Sequence, residues 1–142
     1  MNADYDMFRA SRPKKVLIVD DDKDLLEVYQ DALRRLDFAV EICADGYAAL
    51  RRMEETLFDV VVLDLMMPNC TGFEVLLQLQ RKEGPKPAVI VITGAHKDPD
   101  TVERIRREPV VFDFLFKPCR LMVLADTIRR AVPAQLPGCP TS

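Results

Sequence analysis

Short runs of apolar residues recur along this chain, and a polar or charged side chain directly follows or ends each of the clearest ones. These runs cover residues 16–19, 60–63, 89–92 and 114–116. Apolar runs of this length, without regular polar alternation, are typical of parallel strands that are buried on both faces of a sheet. The pattern therefore predicts a parallel sheet at the centre of the molecule.

Segments with helical spacing separate these runs. Residues 22–36 carry apolar side chains at helical intervals, and Thr71 precedes Glu74 at the spacing of a capping box. The complete prediction places strands at 15–20, 38–43, 59–64, 88–93 and 110–116, and helices at 22–36, 47–55, 71–82, 98–107 and 120–132. Regular alternation of strands and helices indicates an α/β fold with helices on both faces of the sheet.

One domain accounts for most of the chain. With 142 residues, of which 49% are hydrophobic, the chain can bury a single core. Residues 14–132 contain all the predicted elements. We expect residues 1–13 to form a flexible N-terminal arm and the proline-containing residues 133–142 to form a disordered tail.

Charge and composition exclude several classes of function. The net charge of −3 argues against direct, sequence-independent nucleic-acid binding, which needs a basic surface. No apolar run reaches the length of a membrane span, and the first residues lack the apolar core of a secretion signal. The four cysteines match no zinc-binding spacing, and the single histidine, His96, is expected to be a surface loop residue. These features predict a cytoplasmic protein.

The polar side chains at the strand ends have the chemistry of a cation and phosphate site. Three aspartates, 20–22, follow the first strand, Asp64 ends the third, Thr93 ends the fourth and Lys117 follows the fifth. The carboxyl ends of parallel strands meet at one edge of the sheet, where ligands bind. Neighbouring carboxylates repel each other unless they share a cation, and Mg²⁺ prefers such oxygen ligands. The lysine suggests that an anion, such as a phosphoryl group, also binds there.

Four motifs in these segments resemble the receiver domain of two-component response regulators, and in particular single-domain regulators of the chemotaxis type. They are VLIVDDD (16–22), VVVLDLMMPNCTG (60–72), VIVITGA (89–95) and DFLFKP (113–118), in the order and at about the intervals of that family. The resemblance implies a flavodoxin-like fold, with a five-stranded parallel sheet of order 2-1-3-4-5 and five helices on both faces. It also implies a phosphorelay in which a sensor histidine kinase, or a histidine phosphotransfer protein, phosphorylates an aspartate of this chain.

The resemblance assigns the acidic residues. Asp64 matches the phosphoacceptor, and Asp20 and Asp21 match the pair of acids that binds Mg²⁺. Asp21 is expected to be the more direct metal ligand, and Asp20 to act mostly through water. The main-chain carbonyl of Met66 matches a further protein ligand, so the expected cofactor is Mg²⁺ held by Asp20, Asp21, Asp64 and Met66.

The resemblance also assigns a conformational switch. Thr93 and Lys117 match the hydroxyl and ammonium that contact the phosphoryl group, and Phe114 matches the aromatic residue that moves with Thr93. The expected result is a switch surface on the fourth helix, fifth strand and fifth helix, which controls binding to a downstream protein and could form a homodimer. The bond between Lys117 and Pro118 is predicted to be cis. Such a protein catalyses only its own phosphorylation and dephosphorylation and is not a turnover enzyme.

Two alternatives remain open at this stage. The spacing of Asp20 and Asp22, with Thr93 and Lys117, also resembles haloacid-dehalogenase-like phosphatases, in which Asp20 would be the nucleophile. The residues after Asp22 do not match that family. The other alternative is a binding module with the receiver fold that works without phosphorylation.

Overall fold

Five parallel strands, each followed by a helix, make up the described part of the computed structural model, which covers residues 12–67, 71–94 and 99–131. The strands are β1 (Lys15–Val19), β2 (Ala39–Cys43), β3 (Val60–Asp64), β4 (Ala88–Thr93) and β5 (Val111–Phe116). The helices are α1 (Lys23–Arg35), α2 (Gly46–Glu55), α3 (Gly72–Arg81), α4 (Pro99–Arg106) and α5 (Leu121–Arg130). The predicted elements are all present, close to their expected bounds. The predicted tail, and the predicted arm except residues 12 and 13, lie outside the described residues.

The strand order is β2-β1-β3-β4-β5, which confirms the topology implied by the resemblance. The pairings are parallel throughout, and Val19 of β1 lies beside Leu63 of β3. The chain leaves β1 toward β2 on one side and later adds β3 on the other. The carboxyl ends of β1 and β3 therefore flank the topological switch point, where open α/β sheets form their binding crevice.

The sheet is buried on both faces, as the apolar runs predict. Because successive side chains of a strand point to opposite faces, Leu17 and Val19 pack with α2, α3 and α4, whereas Val16 and Ile18 pack with α1 and α5. All four side chains are almost fully excluded from solvent. This two-sided core fixes the strand ends relative to each other. Within the described ranges, no helix combines the length and the apolar character needed to cross a membrane.

Side-chain caps start three helices just beyond the carboxyl edge of the sheet. The Asp22 carboxylate accepts a hydrogen bond from the Leu25 amide at 3.1 Å, and the Thr71 hydroxyl accepts one from the Glu74 amide at 3.4 Å. The Thr71 cap, which the capping-box spacing predicted, is confirmed. Asp45 caps α2 in the same way. Residue 98, where the fourth predicted helix begins, lies outside the described residues, as does residue 132, where the fifth predicted helix ends.

Lysine ammonium groups stabilise the opposite ends of three helices. Lys14 Nζ donates to the carbonyls of Ile128, Arg129 and Ala131, at 3.0, 2.7 and 2.9 Å, at the end of α5. In the same way Lys82 binds the carbonyl of Met53 in α2, and Lys86 binds the carbonyl of Gln80 in α3. A helix leaves its last carbonyls without partners and carries partial negative charge there, so each ammonium supplies both hydrogen bonds and opposite charge.

A bulge in β5 is a feature that the sequence pattern did not predict. Val111 pairs with Val89 and Asp113 pairs with Ile90, so Phe112 is an extra residue in the strand. After the bulge, Phe114 pairs with Val91 and is buried in the cluster formed with α2, α3 and α4. The bulge therefore sets which side of the sheet Phe114 faces.

Candidate functional site

The polar residues identified at the strand ends converge at the carboxyl edge of the sheet. Asp20 follows β1, Asp64 ends β3, Thr93 ends β4 and Lys117 follows β5. Asp20, Asp64 and Thr93 are buried, although they are polar. Buried carboxylates need compensating charge or hydrogen bonds, so the contacts of these side chains show what the site can bind.

Lys117 supplies positive charge to two of these carboxylates. Its Nζ atom lies 2.7 Å from Asp20 Oδ2 and 3.3 Å from Asp64 Oδ2. Its backbone amide donates to the Thr93 carbonyl at 2.9 Å, which fixes the start of the following loop against the end of β4. The Lys117–Pro118 bond is cis, as predicted. The structure thus brings Lys117, Asp20, Asp64 and the end of β4 together.

Backbone amides hold the other oxygen of each buried carboxylate. The Asp22 amide donates to Asp20 Oδ1 at 2.9 Å, and the Met66 amide donates to Asp64 Oδ1 at 3.0 Å. In both cases the donor lies two residues beyond the aspartate. Each carboxylate is therefore fixed by one amide and by Lys117. Burial accordingly costs these carboxylates less than it would cost isolated charges.

The carboxylates of Asp20, Asp21 and Asp64 form a cluster with the chemistry of a Mg²⁺ site. Each offers an oxygen atom within 4.8 Å of the others. Oxygen ligands lie about 2.1 Å from Mg²⁺ in an octahedral shell, so ligand atoms are roughly 3–4 Å apart. Small side-chain movements would close this cluster around the ion. The donor set is hard and anionic and fits Mg²⁺.

Asp21 differs from its neighbour in its environment. It is exposed, and no hydrogen bond or ion pair to its side chain occurs within the described residues. The Asp20 carboxylate instead forms an ion pair with Lys117 and accepts a hydrogen bond from the Asp22 amide. The Asp21 side chain is therefore open to a ligand from solvent, and its more direct role in metal binding stays a prediction. Met66, whose carbonyl was expected to complete the site, is half-exposed next to Asp64.

The electrostatic balance of the site changes two pKa values. Burial raises the pKa of the Asp64 carboxyl and the nearby Asp20 charge adds to this, while the Met66 amide and Lys117 oppose it without cancelling it. Burial alone would lower the pKa of Lys117, but its bonds to Asp20 and Asp64 outweigh burial and raise it. Without a metal, the site therefore carries excess negative charge that Lys117 only partly neutralises.

Phe114, the expected switch residue, lies beneath this edge and is buried. Its ring stacks at a tilt with Phe116, with centroids 5.1 Å apart, and the Arg106 guanidinium of α4 lies 5.6 Å from its centroid. The side chain thus links β5 to α4. His96 and Ala95 lie outside the described residues.

Gly72 is a site residue that sequence reasoning missed. It is buried at the start of α3, and its amide donates to the Leu65 carbonyl at 3.2 Å. A side chain there would meet the backbone of Asp64, whose carbonyl carbon would be 2.9 Å from the added Cβ. The available signal was a glycine immediately after the Thr71 cap, at a position where conformation alone does not require glycine.

Comparisons with known proteins agree with this geometry. The family model of the response regulator receiver domain matches residues 16–129. A putative transcriptional regulator of Haloferax volcanii is 39% identical over 80% of this chain and 18% of its own length. The transcriptional regulatory protein PrrA of Mycobacterium leprae is 36% identical over 82% of this chain and 47% of its own length. The chain thus spans less than half of either relative.

A solved structure gives the same result. The chemotaxis protein CheY4 of Vibrio cholerae is 30% identical, with a TM-score of 0.69, and the similarity covers 83% of this chain and 98% of that one. Strand order, site composition and family match all agree, and none of them supports the haloacid-dehalogenase-like alternative. The chain belongs to the response regulator receiver domain family.

Proposed function

We propose that this receiver domain accepts a phosphoryl group on Asp64 in a Mg²⁺-dependent reaction, and that Asp20, Asp21, Asp64 and the Met66 carbonyl hold the ion. The observation that carries the proposal is the contact of Lys117 Nζ with both Asp20 and Asp64 at the topological switch point. A lysine bound to two buried carboxylates beside an exposed third one is suited to exchange its partners when an anion arrives.

The proposed phosphodonor is a phosphohistidine of a sensor histidine kinase or a histidine phosphotransfer protein. Asp64 Oδ1 is held by the Met66 amide, so Oδ2 is the oxygen that attacks phosphorus once Lys117 moves toward the phosphoryl oxygens. The new O–P bond gives an acyl phosphate, the N–P bond breaks, and its electron pair stays on the histidine nitrogen. Bound Mg²⁺ would supply neutralising charge for the carboxylates and the phosphoryl oxygens. The domain catalyses only its own phosphorylation and dephosphorylation.

Phosphorylation is proposed to act through Thr93 and Phe114. The Thr93 hydroxyl would bind the phosphoryl group, and Phe114 would repack between β5 and α4, where it now contacts Arg106. A phosphoryl group shifts this equilibrium only if it binds one arrangement better than the other. Amide chemical shifts on phosphorylation should therefore change in α4, β5 and α5 of the wild type, and much less in Thr93→Ala. Shift changes confined to the aspartate cluster would contradict the switch.

The proposed downstream partner is a protein surface, either a second copy of this chain or another protein. The relatives from Haloferax volcanii and Mycobacterium leprae are named transcriptional regulators, and each is more than twice as long as the segment that matches this chain. Any direct nucleic-acid contact would then belong to a separate region, because the receiver site is acidic. Since histidine kinases use ATP, we infer that phosphorylation takes place in the cytoplasm.

Phosphorylation by a small phosphodonor tests the proposal directly. The full chain is incubated with phosphoramidate and Mg²⁺, and covalent phosphate is measured by intact mass and by its lability. Wild type should gain one phosphoryl group, Asp64→Asn should gain none, and omission of Mg²⁺ should strongly slow the wild-type reaction. Asp37→Asn is the matched control, because Asp37 is exposed and has a positive φ of 70° that asparagine tolerates.

Other outcomes identify the alternatives. Phosphate that persists in Asp64→Asn would overturn the assignment of the phosphoacceptor. A folded wild type that gains no phosphate would favour the phosphorylation-independent binding module. Turnover of an aryl phosphate that Asp20→Asn abolishes would favour the phosphatase alternative.

A further inference from the structure

The first residue of α3 lies directly against the backbone of the proposed phosphoacceptor. The Gly72 amide donates to the Leu65 carbonyl, which follows Asp64 in sequence. A Cβ atom on Gly72 would overlap the Asp64 carbonyl oxygen and the Leu65 Cα atom. No residue other than glycine therefore fits at position 72 unless α3 or the backbone of residues 64–65 moves.

Space, not backbone conformation, is what requires glycine at this position. Gly84 has a positive φ of 88°, which favours glycine on conformational grounds, but a Cβ atom there would meet nothing within 4 Å. Gly72 is the converse case, because it is not among the described residues with positive φ. Alanine would suit the start of a helix in all respects except its contact with Asp64.

Helix α3 is a rigid support for this contact. Its buried face, including Leu76 and Leu79, is part of the core that also contains Leu63 and Leu65. Its first turn is fixed by the Thr71 cap. Steric overlap with a side chain at position 72 would therefore displace the Asp64–Leu65 peptide and the short segment to Met66 more than it would displace the helix.

We propose that Gly72 is a positioning residue that sets how far the Asp64 carboxylate reaches into the aspartate cluster. Two constraints act on Asp64: the Met66 amide orients its carboxylate, and α3 supports its backbone through Gly72. The inference rests on the proposed role of Asp64. Displacement of a reacting group by about 1 Å can reduce a rate by as much as 10²-fold. A single methyl group at position 72 should therefore lower the phosphorylation rate and change the positions of the metal ligands.

The test compares Gly72→Ala with Val75→Ala in the full chain. Val75 is fully buried in the same helix, so its truncation destabilises the fold without adding an atom near Asp64. Phosphorylation by phosphoramidate is followed at increasing donor concentrations, Mg²⁺ affinity is followed by amide chemical shifts, and stability is followed by urea unfolding. Gly72→Ala should lower the maximal rate by about 10–100-fold and weaken Mg²⁺ binding. Val75→Ala should stay within about threefold of wild type in both.

A second variant covers the case in which Gly72→Ala does not fold. Thr71→Ala removes the cap of α3 and frays its first turn at a cost of about 1 kcal/mol, with no added atom. We expect its maximal rate to fall by about threefold or more at unchanged donor half-saturation. The inference is overturned if Gly72→Ala folds and matches Val75→Ala in rate and Mg²⁺ affinity, or if Thr71→Ala frays the helix and reacts like wild type.

This experiment distinguishes a failure of the proposed function from a failure of the proposed role of Gly72. Loss of phosphorylation in wild type would remove the proposed function, but the Mg²⁺ affinities of the variants would still report whether Gly72 positions the ligands. A wild type that is phosphorylated on Asp64, together with a fully active Gly72→Ala, would leave the proposed function intact and refute the role of Gly72.

Discussion

Lys117 lies closer to Asp20 than to the proposed phosphoacceptor Asp64. Its Nζ atom is 2.7 Å from Asp20 Oδ2 and 3.3 Å from Asp64 Oδ2, and both carboxylates are buried. In this arrangement Lys117 neutralises the acid that is expected to contact Mg²⁺ mostly through water. A bound Mg²⁺ ion and the Lys117 ammonium would therefore both neutralise negative charge on the same two carboxylates.

Replacement of Lys117 by methionine should make stability strongly dependent on Mg²⁺. The variant keeps the length of the side chain but leaves two buried carboxylates without their cation, which should cost about 1–3 kcal/mol of unfolding free energy in metal-free buffer. Mg²⁺ should recover most of this loss, because binding to the folded state alone raises stability. Urea unfolding with EDTA and with Mg²⁺ measures both values. An equal loss in the two buffers would show that Lys117 acts by packing and not by charge.

Asp64→Asn should stabilise the metal-free protein at neutral pH. Asp64 is held in a site that raises its pKa above the ordinary value of 3.8, so the native chain binds a proton there more readily than the unfolded chain. Its contribution to stability is therefore greatest below the unfolded pKa and falls as pH rises through the higher native pKa. Asparagine cannot titrate, and we expect a gain of roughly 0.5–2 kcal/mol above that range.

The pH dependence distinguishes this effect from other consequences of the substitution. The difference in unfolding free energy between Asp64→Asn and wild type should shrink as pH falls toward 3.8 and should be constant at higher pH. Urea unfolding in EDTA at several pH values gives both curves, and a constant difference across the whole range would contradict the raised pKa.

The sequence predicted the sheet and its acidic edge because both depend on local patterns. Apolar runs ending in Asp20, Asp64 and Thr93 specify buried strands and the side chains at their ends, whatever the rest of the chain does. Strand order needed the family resemblance, since periodicity does not record which strands are neighbours. The bulge at Phe112 and the fit of Gly72 against Asp64 depend on contacts between distant or irregular segments. No spacing in the sequence reports such contacts.

The ammonium of Lys14 should be a substantial source of stability for α5. It donates to three carbonyls at the end of that helix, whereas Lys86 donates to one carbonyl at the end of α3. Lys14→Met should lower the unfolding free energy by about 1–2 kcal/mol, and the control Lys86→Met by about 0.5 kcal/mol. Urea unfolding provides the values, and hydrogen exchange should show faster opening of the last turn of α5 in Lys14→Met. Equal losses in the two variants would contradict the special role of Lys14.

The lifetime of the phosphorylated state should depend on Met66. Hydrolysis of an acyl phosphate needs a water molecule in line with the phosphorus, and in receivers the residue two positions after the phosphoacceptor borders that path. Here it is Met66, a residue that is 48% exposed beside Asp64 and whose thioether is only a weak hydrogen-bond acceptor for water. In receivers the residue two positions after the threonine borders the same path, and here that residue is Ala95, which lies outside the described residues. Slow loss of the phosphoryl group is therefore expected.

Met66→Asn should accelerate this loss by about threefold to tenfold, because an amide side chain can hold the attacking water. The decay of phosphorylated protein after removal of phosphoramidate, followed by intact mass, gives the rate constant. Met122→Asn is the matched control, because Met122 is a 59% exposed methionine on α5, and its decay should equal that of wild type. If Met66→Asn is folded and decays at the wild-type rate or more slowly, Met66 does not control access of water. The lifetime would then be set by the metal ligands and the backbone around Asp64.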